Sequence, residues 1–196
     1  MIKLERGECP HPKALENSNY KHPKNKESLK IAAYDKCMYC ESKISHIDHA
    51  DVEHIKPKAK DKFPELEFVW ENLGYACTKC NGAKSDKYFT LSPFINPYEE
   101  KPNEFIVCAG TLLFPKNGSE RAEITINQIE LNRPALLEKR MNKIQEIQKS
   151  INSCHRAKDP DVKKLLLVEI NSMAGKDKEY SYIVKCFLKS HEMEVM

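Results

Sequence analysis

The chain has 196 residues, enough for one compact unit or two small ones. Charged residues make up 31%, and no apolar run approaches the roughly 18 residues of a membrane helix, so no membrane span is expected. The formal net charge of +3 is modest for a protein that would hold nucleic acid tightly by itself.

Residues 1–30 read as a lead segment. The opening M-I-K-L-E-R-G suits a short strand, after which Pro10, Pro12 and Pro23 break the path. The basic run Lys21–Lys26 reads as a solvated loop. Ser28 to Lys36 suits a short helix, with Ser28 as N-cap and Leu29, Ile31, Ala32 and Ala33 on its apolar side.

That helix delivers the chain to C-M-Y-C, at Cys37 and Cys40, and a second pair in C-T-K-C, at Cys77 and Cys80, follows after 36 intervening residues. Two residues between cysteines let both thiolates turn onto one ion, and two such knuckles make the tetrahedral all-sulfur site that zinc prefers. The gap is longer than the roughly 15–20 residues of a simple ribbon, so the insert should itself be folded. Sulfur fills every coordination position and leaves no water to activate, so this zinc is read as structural. The other four cysteines, Cys9, Cys108, Cys154 and Cys186, show no paired spacing. The sequence opens on no secretory signal. Eight cysteines therefore point to a reducing cytoplasm and metal, with two disulfides or free thiols among the four knuckle cysteines as the weaker alternative.

Inside the insert, Ala50 to Ile55 reads as a strand that Pro57 ends, with Val52 alternating against Asp51 and Glu53. His46 and His49, just upstream, read as exposed hairpin residues, with His49 a lesser candidate for the site. Phe63, Leu66, Phe68, Val69, Trp70 and Leu73 read as core. A helix is expected from Asn81 to about Tyr88, with Lys84 one turn along it. Taken singly, Glu53, His54, Asn72, Asn81 and Lys84 are ordinary: a solvated strand residue, a satisfied histidine, two turn formers and a surface lysine. Their order between two zinc knuckles is what carries information.

Leu91 to Pro102 is a proline-rich connector. Phe105 to Phe114 reads as a hairpin about Ala109-Gly110, and Asn117-Gly118 as the next turn. Thr125 is a candidate cap for a short helix over Ile126, Ile129 and Leu131. A longer helix should start near Pro134, with Leu136, Leu137, Met141, Ile144, Ile147 and Ile151 as its apolar stripe. Asp159-Pro160 breaks it, and Leu165–Met173 and Tyr180–Leu188 supply two more helices. The expected organisation is a lead segment (1–30), a module with the zinc site (31–95), and a hairpin plus helical region (96–196) whose apolar stripes suit core packing or a docking surface.

The segment from Cys37 to Lys87 resembles the HNH nuclease family. The resemblance rests on Glu53-His54, Asn72 before Leu73, Asn81, and the two Cys-x-x-Cys knuckles of the family's zinc-stapled branch. It implies an α+β fold: a ββα-metal nuclease core stapled by a four-cysteine zinc site, followed by a mainly helical C-terminal region. It also implies roles. His54 would be the general base and Asn72 would hold it. Glu53 and Asn81 would offer hard oxygen ligands to Mg²⁺ or Mn²⁺, with Asp51 in reserve because Glu53 stands where Asp or His is more usual. Lys84 would reach a phosphate.

The opening M-I-K-L-E-R-G, the D-V-E-H-I-K-P-K strand and the I-E-L-N-R-P-A-L-L-E-K-R stretch (Ile129–Arg140) further resemble one HNH subfamily. It is the nuclease subunit of Septu-type and retron-associated anti-phage systems, whose partner is an ABC-type ATPase subunit (PtuA-like). From Asp51 to Thr90 seven lysines face seven acids, which fits weak intrinsic affinity and a substrate delivered by a partner. DNA is the favoured substrate. RNA, such as tRNA, is the alternative, because this chemistry needs no 2′-hydroxyl. An inactive zinc-stapled adaptor is the reading from another class.

Overall fold

The computed structural model describes residues 1–44 and 50–191; His46 and His49 lie outside the described residues. Its centre is a two-stranded antiparallel sheet, β1 (Ala50–His54) against β2 (Leu73–Cys77), with Val52 opposite Tyr75 and His54 opposite Leu73. Two 3-10 turns, Pro64–Leu66 and Trp70–Asn72, fill the connection. Helix α3 (Thr78–Lys84) follows β2 directly and packs on both strands, completing a ββα unit. Gly74 permits a close approach here, since a Cβ on it would collide with Met38 Sδ.

Helix α3 begins a turn earlier than the sequence suggests. The sulfur of Cys77 accepts from the Cys80 N–H and caps the helix; Ser85, at φ 50°, stops it after Lys84. Asn81 therefore sits inside the helix instead of opening it.

The lead segment differs from expectation in a consistent way. Met1–Gly7 forms no strand; Met1 and Leu4 are buried, and the Leu4 N–H donates to Pro97 O at 2.8 Å. The prolines start helices instead of breaking the path. Pro12 opens α1 (Pro12–Glu16) and Pro23 opens α2 (Pro23–Ala32), where a missing N–H costs nothing. Helix α2 thus starts five residues before Ser28.

The hairpin forms as expected, β3 (Ile106–Ala109) with β4 (Leu112–Pro115), turning at Gly110 with φ 59°. In α4 (Glu120–Gln128) the cap is Ser119. Thr125 lies mid-helix, where its hydroxyl donates to Arg121 O and accepts from the Ile95 N–H. Helix α5 (Pro134–Arg156) starts at the expected proline and buries Leu136, Ile144, Ile147 and Ile151, whereas Met141 is exposed. Asp159 caps α6 (Pro160–Ser172), and α7 (Ser181–Ser190) closes the described chain.

One apolar cluster runs from Met1 and Leu29 through Cys37, Leu73 and Ile95 to Ile126, Leu136 and Ile183. All three sequence segments thus contribute to it, and a smaller cluster lies among α5, α6 and α7. Cys9 and Cys154 are free, but Cys108 of β3 and Cys186 of α7 are paired, with Cα atoms 6.5 Å apart. Spacing gave no sign of that pair because its members are 78 residues apart. Among the described residues no helix is long and apolar enough to cross a membrane.

Candidate functional site

The two knuckles converge at the base of the ββα unit. One precedes β1 and is tied to the sheet by Met38 N–H donating to Tyr75 O; the other joins β2 to α3. The sulfurs of Cys37, Cys40, Cys77 and Cys80 all lie within 4.8 Å of one another, with Cys40 and Cys77 Sγ 3.9 Å apart. A zinc–sulfur bond of about 2.3 Å in a tetrahedron sets sulfurs about 3.8 Å apart, so the four thiolates fit that ion. Ser42 Oγ stands 3.3 Å from Cys40 Sγ, and Arg133 at the head of α5 donates from Nη1 to Cys80 Sγ at 3.5 Å.

A cleft of about 480 Å³ opens beside β1 and α3. Asp51, His54, Asn81, Ser85 and Asp86 line it together with Tyr20, Lys21 and Lys58. His54 Nε2 lies 2.9 Å from the backbone oxygen of Glu67. A carbonyl can only accept, so Nε2 carries the proton and a neutral ring has its lone pair at Nδ1. Burial lowers the proton affinity of the imidazole and outweighs the pull of the Glu67 carbonyl, which favours that neutral form. Asn81 Nδ2 donates to Asp51 Oδ2 at 2.9 Å, which leaves the Asn81 amide oxygen and the other Asp51 oxygen as hard donors.

Two residues expected in the open site are engaged within the protein, although Glu53 also borders the cleft. Glu53 is buried, 2.8 Å from Lys84 Nζ and 3.1 Å from the Tyr39 hydroxyl that donates to it. Burial raises the affinity of its carboxylate for a proton, and the Lys84 cation opposes this. Lys84 is equally buried and also donates to the His54 carbonyl at 2.8 Å. It ties α3 to β1 and, in this conformation, offers nothing to a phosphate, contrary to the expectation from its helical position.

Asn72 is placed beside the histidine but not on its ring. Its Oδ1 accepts from Lys56 N–H at 2.8 Å, and its Nδ2 donates to Lys56 O and Leu66 O. It fixes the chain just after His54 and the turn that carries Glu67, so any hold on the imidazole passes through the backbone.

Three contributors escaped the sequence reading. Tyr20 packs edge-on to the His54 ring, with centroids 4.6 Å apart. Lys58 joins the Tyr20 hydroxyl (3.1 Å) to the Glu67 carboxylate (2.6 Å). Arg133 reaches the thiolates. Lys58 and Arg133 had a signal, as the last residue of D-V-E-H-I-K-P-K and within the I-E-L-N-R-P stretch, whereas Tyr20 had none. Asn132, the neighbour of Arg133, pairs through its amide with both backbone groups of Leu113 in β4.

A ββα unit stapled by four cysteines, with a histidine and hard oxygen donors in the cleft beside it, defines the metal-nuclease class. Residues 37–87 match the family model described as HNH endonuclease, and this part of the chain is similar to that family.

Over a wider span the chain is 32% identical to Septu protein PtuB of Bacillus thuringiensis, along 117 residues that cover 59% of this chain and 44% of that protein. It is 26% identical to Septu protein PtuB of Bacillus mycoides, along 158 residues covering 66% and 54%. A Vibrio cholerae protein named "Retron Vc95 putative HNH endonuclease" is 32% identical along 125 residues covering 57% and 58%. The alignments thus span about half the length of these relatives.

Proposed function

We propose that the chain is a metal-dependent endonuclease that hydrolyses phosphodiester bonds of nucleic acid. The observation that carries this reading is the state of His54: Nε2 is committed to a backbone carbonyl, and the residue lines a cleft together with Asp51 and Asn81. A neutral imidazole so held accepts a proton from an attacking water. Asp51 and Asn81 are the donors for Mg²⁺ or Mn²⁺, with Glu53 inward on Lys84. A cation there supplies Lewis-acid neutralisation of phosphate charge. Asn72 keeps the His54 loop in place, and the four cysteines hold structural zinc remote from the chemistry.

DNA is the first substrate to test, and RNA, including tRNA, is equally compatible with these residues. The likeness to Septu and retron proteins supports a role as the effector of an anti-phage complex in the cytoplasm, with an ABC-type ATPase (PtuA-like) as partner and the helical C-terminal region as its dock. Supercoiled plasmid and a folded RNA, each with Mg²⁺ or Mn²⁺ and with or without the ATPase, test the reading against His54→Ala. Cleavage abolished by the substitution supports it. Equal cleavage by both proteins, or none under any condition, counts against it.

A further inference from the structure

The N-terminal turn between α1 and α2 belongs, on the geometry, to the hydrolytic cleft. Tyr20 lies outside the residues that match the HNH model, yet its ring stands 4.6 Å from that of His54 at 72°. Its hydroxyl accepts from Lys58 Nζ at 3.1 Å, Lys58 Nζ pairs with Glu67 Oε1 at 2.6 Å, and the Glu67 backbone oxygen takes the His54 Nε2 proton at 2.9 Å. These contacts close a ring around the imidazole: His54, Glu67, Lys58, Tyr20 and back to His54.

We propose that Tyr20 is a positioning residue that holds His54 in its reactive orientation; the inference rests on the nuclease reading above. The hydrogen bond at Nε2 fixes the tautomer but leaves the ring free to swing about the bond. An aromatic edge against its side removes that freedom, and a small misplacement of a base is costly in rate. The turn is built to hold a side chain still. Ser18 N–H donates to Leu15 O, Asn19 N–H to Ala14 O and His22 N–H to Asn19 O, while Ala14 and Leu15 anchor α1 in the core. Phe68 backs the tyrosine at 6.3 Å.

The test compares wild type with Tyr20→Phe, Tyr20→Leu and Tyr20→Ala by steady-state cleavage of a short fluorogenic oligonucleotide, with thermal unfolding as the folding control. Tyr20→Phe keeps the ring and is expected to hold kcat within about threefold, whereas Tyr20→Ala and Tyr20→Leu lower kcat about 10–100-fold with KM little changed. A folded Tyr20→Ala or Tyr20→Leu with wild-type kcat overturns the proposal.

A second readout does not depend on turnover. Nuclear Overhauser contacts from the His54 ring protons to its fixed neighbours should define one ring orientation in wild type and Tyr20→Phe, and an averaged one in Tyr20→Leu. An unchanged ring orientation in Tyr20→Leu also overturns the proposal. If wild type cleaves nothing, the nuclease reading fails on its own, and these contacts still decide whether Tyr20 orients His54.

Discussion

Lys84 Nζ lies 2.8 Å from Glu53 Oε1, and both side chains are only 1% exposed. The pair joins the last turn of α3 to the end of β1, beside the histidine. Removing one member of a buried pair leaves a charge that neither water nor a partner solvates. Lys84→Met is therefore expected to cost about 3–5 kcal/mol in urea unfolding. The double variant Glu53→Gln with Lys84→Met should recover most of that loss, because it removes both charges. A phosphate-binding lysine would behave otherwise: the single variant would raise KM and leave stability alone.

Arg133 makes the comparable link at the other end of the domain. Four thiolates around a divalent ion leave a net negative charge, and the Arg133 guanidinium 3.5 Å from Cys80 Sγ offsets part of it. Partners of metal ligands tune metal affinity by about 10–100-fold, and Arg133→Gln is expected to weaken zinc retention by that order in chelator competition. Arg133→Lys should fall between the two. Complete removal of metal should unfold the ββα unit and be visible in far-UV circular dichroism, because the module is clamped at its base.

The knuckles, β1, the hairpin and the start of α5 were legible in the sequence because each carries a local signal: ligand spacing, alternation, a Gly turn, a proline at the first helical position. What escaped is non-local or two-valued. Pro12 and Pro23 read as breakers although a proline also starts helices, and only packing of Ala14, Leu15 and Leu29 decides between the two. In the site, spacing singled out the cysteines and the family resemblance singled out His54 and Asn81, but the burial of the Glu53–Lys84 pair depends on how α3 docks on β1. The Tyr20–His54 contact and the Cys108–Cys186 pair depend on tertiary approach over tens of residues, which no local pattern records.

A pH-dependent element links Glu100 to α4. Glu100 accepts from Arg121 through both oxygens at 2.7 Å and from the Asn96 N–H. Burial works against the carboxylate, but these donors prevail and hold its pKa below the usual value. A folded-state pKa below the unfolded one gives stability that is present above about pH 4.3 and is lost as pH falls through the lowered folded value. Both side chains are about a quarter exposed, so screening limits the effect to about 1 kcal/mol. Glu100→Gln should flatten the dependence of Tm on pH below about 5 relative to wild type.

Asp51 and Glu53 are two residues apart on β1 and separate by experiment. If Asp51 holds the catalytic cation, Asp51→Asn should raise the Mn²⁺ concentration for half-maximal cleavage by about tenfold or more, in line with the loss of one charged ligand. Its unfolding midpoint should hardly move, because Asp51 sits at the cleft and its hydrogen bond to Asn81 survives an amide in part. Glu53→Gln should do the reverse. It strands the buried Lys84 charge and lowers stability by several kcal/mol, while the metal requirement of the folded fraction stays near wild type. The opposite pattern, with metal dependence following Glu53, would mean that Lys84 releases the glutamate when a cation binds and would return Glu53 to the ligand set.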